Sequence, residues 1–436
     1  MKGSKWAALA CSLAGVAGTL AQQGVVPEAS NKPVRPEPLA EQDKDAFADL
    51  ESRPFLTGDW GGYRTKLSEK GLDFFGLYSA FPIANVSGGI KEGAEYQGLL
   101  ILSTTARFDE YLPWEGLSAR ATTFFPHSTG SPTRNLVGDR FFVTNIDLYQ
   151  AWTLWDLWLQ QELWDKRISI RAGQWLPVEE FASGDFAGVF TGANFTRFGL
   201  LSQNFISFPL QTQGIRVRYS PNERYYFQSG VFDGNPDPTY GVDYLNSSGA
   251  RINWNSREGL FTIHEAGIRV NQSMKGLQLP ATYKLGFVYH TGEFLEAPGF
   301  TTTKDGNYSL YMAVNQVLWW EKDEQDKMIR AVGLNVRMGI APDEQNFFSH
   351  YFDAGLGFPG IIPGRPNDVL ASAFAFAHVS SEVPAPFDYE GVWETTYQIA
   401  VTPWWKVQPT VKYVMHPGGS SQLPNAVVVG LRMNFV

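Results

Sequence analysis

The chain has 436 residues, 14% aromatic and 18% charged, with 43 Gly, 26 Pro and a formal net charge of −9. It holds no dense Lys/Arg run, which argues against a nucleic-acid partner, and beyond the N-terminus no run of about 18 apolar residues that could form a transmembrane helix. The length suits one large domain or two to three small ones, and a β-barrel stays open because alternation hides membrane strands from averaged hydropathy.

Met1 to Lys5 carries two lysines, Trp6 to Leu20 is small and apolar, and Thr19-Leu20-Ala21 offers a small-x-small cleavage site. Residues 1–21 are therefore expected to be a signal peptide. Cys11 is the only cysteine, and Ala10 would suit a lipoprotein signal where Ala8 does not. Cleavage after Ala21 leaves a mature chain without disulfides or thiol chemistry. Residues 22–57 are Pro-rich and then charged and read as a leader; prolines at 27, 33, 36 and 38 forbid regular structure, and Leu39 to Arg53 suits a short polar helix. A second short helix is predicted over Asp59 to Lys70, with Asp59 as N-cap and Gly71 as C-cap.

From Gly71 onward the pattern gives about sixteen strands and no long helix. They fall near 71–81, 96–108, 117–125, 147–163, 167–175, 213–219, 224–232, 258–270, 281–290, 307–318, 328–340, 350–357, 368–380, 390–402, 405–415 and 425–435. Trp164-Asp165-Lys166 and Ser220 to Glu223 read as tight turns, whereas 126–146, 176–212 and 233–257 are long and rich in Gly, Pro, Asn and Phe. At the end of the chain, Trp393, Thr395, Tyr397, Ile399 and Val401 alternate with Glu394, Thr396, Gln398 and Ala400. The last strand sets Val427, Val429, Leu431, Met433 and Phe435 against Ala426, Gly430, Arg432 and Asn434. An amphipathic strand closing on Asn434-Phe435-Val436 is how bacterial outer-membrane barrels end, and an even strand number puts both termini on the periplasmic side.

The run ETTYQIAVTPWWKVQPTVKYVMHPGG resembles the C-terminus of the carbohydrate-selective porins of the OprB type. Further blocks follow the same order along the chain: Gly58 to Leu72, Asn85 to Leu100, LWLQQELWDKRISIRAGQ at Leu157 to Gln174, Gly230 to Pro236 and PGRPND at Pro363 to Asp368. One departure is Val436 after Phe435, which displaces by one residue the terminal aromatic usual in such barrels. The resemblance covers nearly the whole chain after about residue 55. It implies an all-β transmembrane antiparallel β-barrel over 58–436 that passes glucose-like sugars by passive diffusion, with the short helix at the periplasmic mouth. Its partners would be small neutral sugars, outer-membrane lipids and the barrel assembly machinery acting through the last strand. Neither a cofactor nor catalysis is implied, and a homo-oligomer is left open between monomer and trimer.

Strand parity separates lipid from lumen. Ile168, Ile170 and Ala172 face out, which turns Arg167, Ser169, Arg171, Gly173 and Trp175 inward; Trp155, Leu157, Leu159 and Leu163 face out, with Asp156, Trp158, Gln160 and Glu162 inward. The same rule places Arg107, Arg120, Arg216, Arg218, Glu265, Arg269, Arg337, Glu394 and Arg432 inside, because a charge on the lipid face costs ~2–4 kcal/mol near the midplane. Guanidinium forks donate to sugar hydroxyls, carboxylates accept from them, and aromatic rings pack on sugar C–H faces. Arg107, Arg120, Trp158, Glu162, Arg171 and Trp175 are the expected sugar contacts; the plainer reading of a lumen arginine is a ladder of charge that stiffens the wall. Arg-rich lumens also suit anions, so a general or anion-preferring porin is an alternative. A secreted β-rich carbohydrate-binding protein or glycosidase is a more distant one, for which Glu179, Glu180 and Asp185 would be the acid/base candidates. The six histidines show no ligand spacing, and no metal site is expected. Trp319-Trp320 and Trp404-Trp405 read as interfacial aromatics.

Overall fold

A computed structural model of the protein describes residues 49–436, apart from 110, 113, 149, 206–210, 235–258, 273–277, 298, 300 and 323–327. The expected signal peptide, the leader up to residue 48 and most of the 233–257 connection lie outside the described residues.

The strands are β1 Leu72–Ser87, β2 Gly93–Arg107, β3 Leu117–Ser128, β4 Thr153–Leu163, β5 Ile168–Trp175, β6 Thr212–Tyr219, β7 Tyr225–Asp233 and β8 Leu260–Val270. The second half adds β9 Ala281–Leu295, β10 Thr303–Lys322, β11 Met328–Ile340, β12 Phe348–Pro359, β13 Val369–Val379, β14 Tyr389–Thr402, β15 Trp405–Met415 and β16 Ala426–Phe435. Each pairs antiparallel with its chain neighbours, and β1 pairs with β16, so the sixteen strands close into one barrel. Closure sets Tyr78 opposite Phe435 and Ala84 opposite Val429, which leaves no sheet edge to expose unpaired backbone.

Every expected strand is present, and the differences lie at ends. β1 runs on to Ser87, β9 to Leu295, and β10 starts at Thr303. These extensions carry residues such as Glu293, Lys304 and Asp305, whose ladder is held by backbone pairing without an apolar face to announce it. Residues 147, 148 and 150–152 are not strand; Asp147 turns inward and accepts from Ser131 Oγ at 2.6 Å. The tight turn Trp164-Asp165-Lys166 is present with all three residues at positive φ, and Asn222 Oδ1 closes the other by accepting from the backbone N–H of Arg224 and Tyr225.

The helix α1 is shorter than expected, Tyr63–Glu69, and its N-cap is Gly62 at φ 87, not Asp59. Asp59 still serves the helix from three residues upstream, accepting from the backbone N–H and hydroxyl of Thr65 at 2.9 and 2.8 Å. Gly71, at φ 79, follows the C-cap Lys70 and supplies the left-handed turn into β1.

The outer surface carries Leu102, Leu157, Leu159, Ile215, Val217, Phe227, Leu285, Leu310, Trp393, Val411 and Leu431 as exposed apolar side chains, a belt that only lipid would cover favourably. Trp155 corrects the parity reading, since it is buried and stacks on Phe124 with ring centroids 4.3 Å apart. The register slips between Thr122, opposite Asp156, and Thr123, opposite Leu154, so Trp155 is the extra residue of a β-bulge and turns inward beside Asp156.

The apolar core of the molecule lies inside the barrel. Segments 131–148 and 176–205 fold into the bore, the latter with helices α2 Ala193–Thr196 and α3 Gly199–Asn204. They bring Phe141, Leu176, Val178, Phe181, Phe190, Phe198 and Leu200 to near-zero exposure. With no helix of useful length or regular period, these side chains are held by the wall that surrounds them.

Candidate functional site

The inward segments are fixed to one arc of the wall by buried charged residues. Glu265 on β8 accepts from Ala182 N at 2.8 Å, and Arg337 on β11, paired with Asp353 at 2.8 Å, donates to the carbonyls of Asn194 and Phe195. Glu394 on β14 accepts from the backbone N–H of Thr191 and Gly192 at 2.7 and 3.0 Å while lying 3.1 Å from Lys412 Nζ. Glu390 does the same for segment 131–148, accepting from Arg140 N and Phe141 N, and Arg432 donates to Asn145 Oδ1 at 2.7 Å. Each charge thus satisfies backbone groups that a loop buried in a barrel would otherwise leave unpaired.

On the opposite arc, β3 to β6 present the arginine and tryptophan side chains singled out in the sequence. Register sets Arg120 opposite Trp158, Gln160 opposite Arg171, and Arg171 opposite Arg216. The Trp158 ring lies between two guanidiniums, with Arg171 Cζ 4.3 Å and Arg120 Cζ 5.6 Å from its centroid. Gly173 makes this approach possible: at φ 140 it is backbone that L side chains avoid, and a Cβ there would fall 2.2 Å from Leu157 O. Trp175, buried, sits 5.7 Å from Arg171 Cζ and packs edge-on against Phe232 at 5.0 Å. Glu162 joins through Gln160, whose Nε2 donates to its Oε1 at 2.8 Å. Arg107 stands apart from these five. It faces inward at the end that carries the termini, pairs with Asp73 and donates to Ser68 O at 2.8 Å, bracing α1 against β1.

Pattern reading missed what completes the cluster. Glu180 enters from the inward segment and takes three guanidiniums: Arg216 Nε at 2.6 Å, Arg218 Nη2 at 3.3 Å and Arg171 Nη1 at 3.4 Å. Gln160 Oε1 accepts from Arg171 Nε at 2.9 Å and from Arg216 Nη2 at 3.2 Å. The 3-10 turn Pro177–Glu179 sends the adjacent carboxylates apart, so Glu179 meets Trp155 Nε1 at 3.1 Å and lies beside Arg197. Burial pushes the Glu179 carboxyl up to about 8 despite Arg197, and burial lowers Arg197 to about 10. The two carboxyls therefore have separate partners. Parity had already placed Arg216 and Arg218 inside; the position of Glu180 depends on a fold-back that alternation does not encode.

Comparison with known proteins matches this architecture. The family model for the carbohydrate-selective porins, OprB family, matches residues 91–436. Porin B of Pseudomonas aeruginosa is 24% identical over 429 residues, covering 88% of this chain and 91% of that protein. A putative porin, QuiX, of Acinetobacter baylyi is 23% identical over 425 residues, covering 88% and 94%. The solved high-pH structure of Pseudomonas putida OprB superimposes with a TM-score of 0.78 at 22% identity, covering 90% of this chain and all of that one. A closed sixteen-strand barrel with an apolar outer belt, a charged bore and a family match over most of its length makes this chain a member of the OprB family of carbohydrate-selective porins, in the bacterial outer membrane.

Proposed function

We propose that the channel passes small neutral sugars of the glucose type by passive diffusion, and that Arg120, Trp158, Glu162, Arg171 and Trp175 build the site that holds them. The observation that carries this is the Trp158 ring held between two guanidiniums, with Gln160, Glu162 and Glu180 supplying acceptors around it. Trp158, 4% exposed, holds the two guanidiniums in place with its ring, and the surrounding donors and acceptors suit the hydroxyl edge of a pyranose. The carboxylates offset the guanidinium charge, which favours a polyol over an ion. Arg107 belongs to the same lumen but acts mainly as a brace, because Asp73 and Ser68 take its donors.

Convergence of three guanidiniums on Glu180 supports a second reading, an anion-preferring channel of the same fold. Single-channel recording in a planar bilayer separates the two. Saturable block of the ion current by glucose, without strong anion selectivity, is expected; indifference to glucose with marked anion selectivity would replace the first reading by the second. In either case residues 1–21 act as the export signal, the barrel assembly machinery takes the chain by β16, and lipid covers the outer belt.

A further inference from the structure

Nearer the periplasmic end of the bore the same chemistry recurs. Tyr226, the inward residue at the start of β7, lies under Arg269 Cζ at 4.7 Å and Arg218 Cζ at 5.5 Å. Its hydroxyl donates to Glu265 Oε1 at 2.7 Å, which fixes the ring, and Arg218 Nε donates to Gln228 Oε1 at 2.8 Å, which fixes the guanidinium. The Arg218 side chain nonetheless keeps 18% exposure and Arg269 is half-buried, whereas Arg216 and Arg337 on the same walls are sealed. Register places Glu162 opposite Ser169 and Ser169 opposite Arg218. A half-buried carboxylate and a half-buried guanidinium thus stand at one level two strands apart, about 10 Å between backbones. The Ser169 between them is buried, its Oγ accepting from Arg216 Nη1 at 2.8 Å, so a sugar over this stretch of wall meets an acceptor on one side and donors on the other.

We propose that Arg218 and Arg269, seated on the buried Tyr226 ring, form with Glu162 a second polyol subsite, on the periplasmic side of the Trp158 cluster and sharing Glu162 with it, so that a sugar crosses the bore through two weak sites in series. The inference rests on the sugar-channel reading. Its physical logic is that of any conducting pore, in which sites shallow enough to leave, placed within reach of one another, pass a solute faster than one deep site. Arg218 links the two, since it also touches Glu180 of the upper cluster.

Current noise under glucose block tests it. The wild-type channel is expected to show two relaxation components. Arg269→Gln should weaken one component roughly tenfold and leave the other, while Trp158→Ala should do the reverse. Heat-resistant migration in detergent confirms that the variant barrels are folded. Should that variant not fold, Arg269→Lys is expected to weaken the same component. A single component in the wild type, or two components that survive both substitutions at the subsite, overturns the second site while leaving the sugar channel intact. No glucose block in the wild type overturns both.

Discussion

Glu180 Oε1 lies 2.6 Å from Arg216 Nε, and the same carboxylate reaches Arg171 and Arg218 from a segment that enters the bore after β5. One acidic side chain therefore joins the inward segment to two adjacent strands and supplies the counter-charge for three guanidiniums. Glu180→Gln is expected to shift the channel toward anions, read as a change in reversal potential across a salt gradient. Because it also breaks a buried ion pair, the variant should lose about 3 kcal/mol of stability. An unchanged reversal potential would mean that these guanidiniums lie outside the ion path.

Trp158→Ala removes the ring between Arg120 and Arg171. The hold of the ring on the guanidiniums is worth about 1–2 kcal/mol, so with Arg120 and Arg171 displaced glucose block is expected to weaken about tenfold while ion conductance rises. Equal block in both channels would place the sugar elsewhere in the bore.

Glu179 should make the fold sensitive to alkali. Its carboxyl is raised from 4.5 to about 8 by burial, so between those values the folded chain holds a proton that the unfolded chain has released. Stability must then fall as pH rises from about 4.5 to about 8 and level off above. Thermal unfolding of the detergent-solubilised barrel is expected to show this decline, and Glu179→Gln to flatten it. A Glu179→Gln variant that declines as steeply as the wild type would assign the effect to another group.

Gly173 allows the backbone approach on which Trp158 depends. Gly173→Ala forces a Cβ into positive-φ backbone 2.2 Å from Leu157 O and 2.6 Å from Trp158 Cα. The strain is worth about 1–3 kcal/mol, and the expected outcome is a lower unfolding temperature together with weaker glucose block. A variant with wild-type stability and block would show that β4 and β5 can part there without disturbing the site.

Much of this was legible in the sequence because a membrane barrel has only two faces. Once Ile168, Ile170 and Leu157 were assigned to lipid, Arg171 and Trp158 had to point inward, and the structure places them there. Trp155 escaped the rule because a bulge adds one residue and flips parity locally. The inward segment escaped it altogether. Phe181, Phe186, Phe190, Phe195 and Phe198 follow neither a two-residue nor a 3.6-residue period, and they are buried by the wall around them. Glu180 was visible as a carboxylate but not as a partner of β5 and β6, since that contact exists only when the segment folds back.

Glu394 holds the far side of that segment. It accepts from Thr191 N, Thr191 Oγ1 and Gly192 N and is balanced by Lys412, all of them buried. Glu394→Ala leaves two backbone donors without their acceptor and a buried lysine without its counter-charge, a loss of about 3–5 kcal/mol by analogy with other buried pairs broken on one side. The closed barrel should survive, because its ladders do not pass through the segment. The segment, released at Thr191 but still tied at Glu180, Glu265 and Arg337, is expected to move within the bore, giving higher mean conductance and open-channel flicker on the millisecond scale. Glu394→Gln keeps an acceptor for one of the N–H groups and should fall between. Conductance and noise identical to wild type in the alanine variant would show that 176–205 does not bound the ion path, and the constriction would then have to be sought among the wall residues alone.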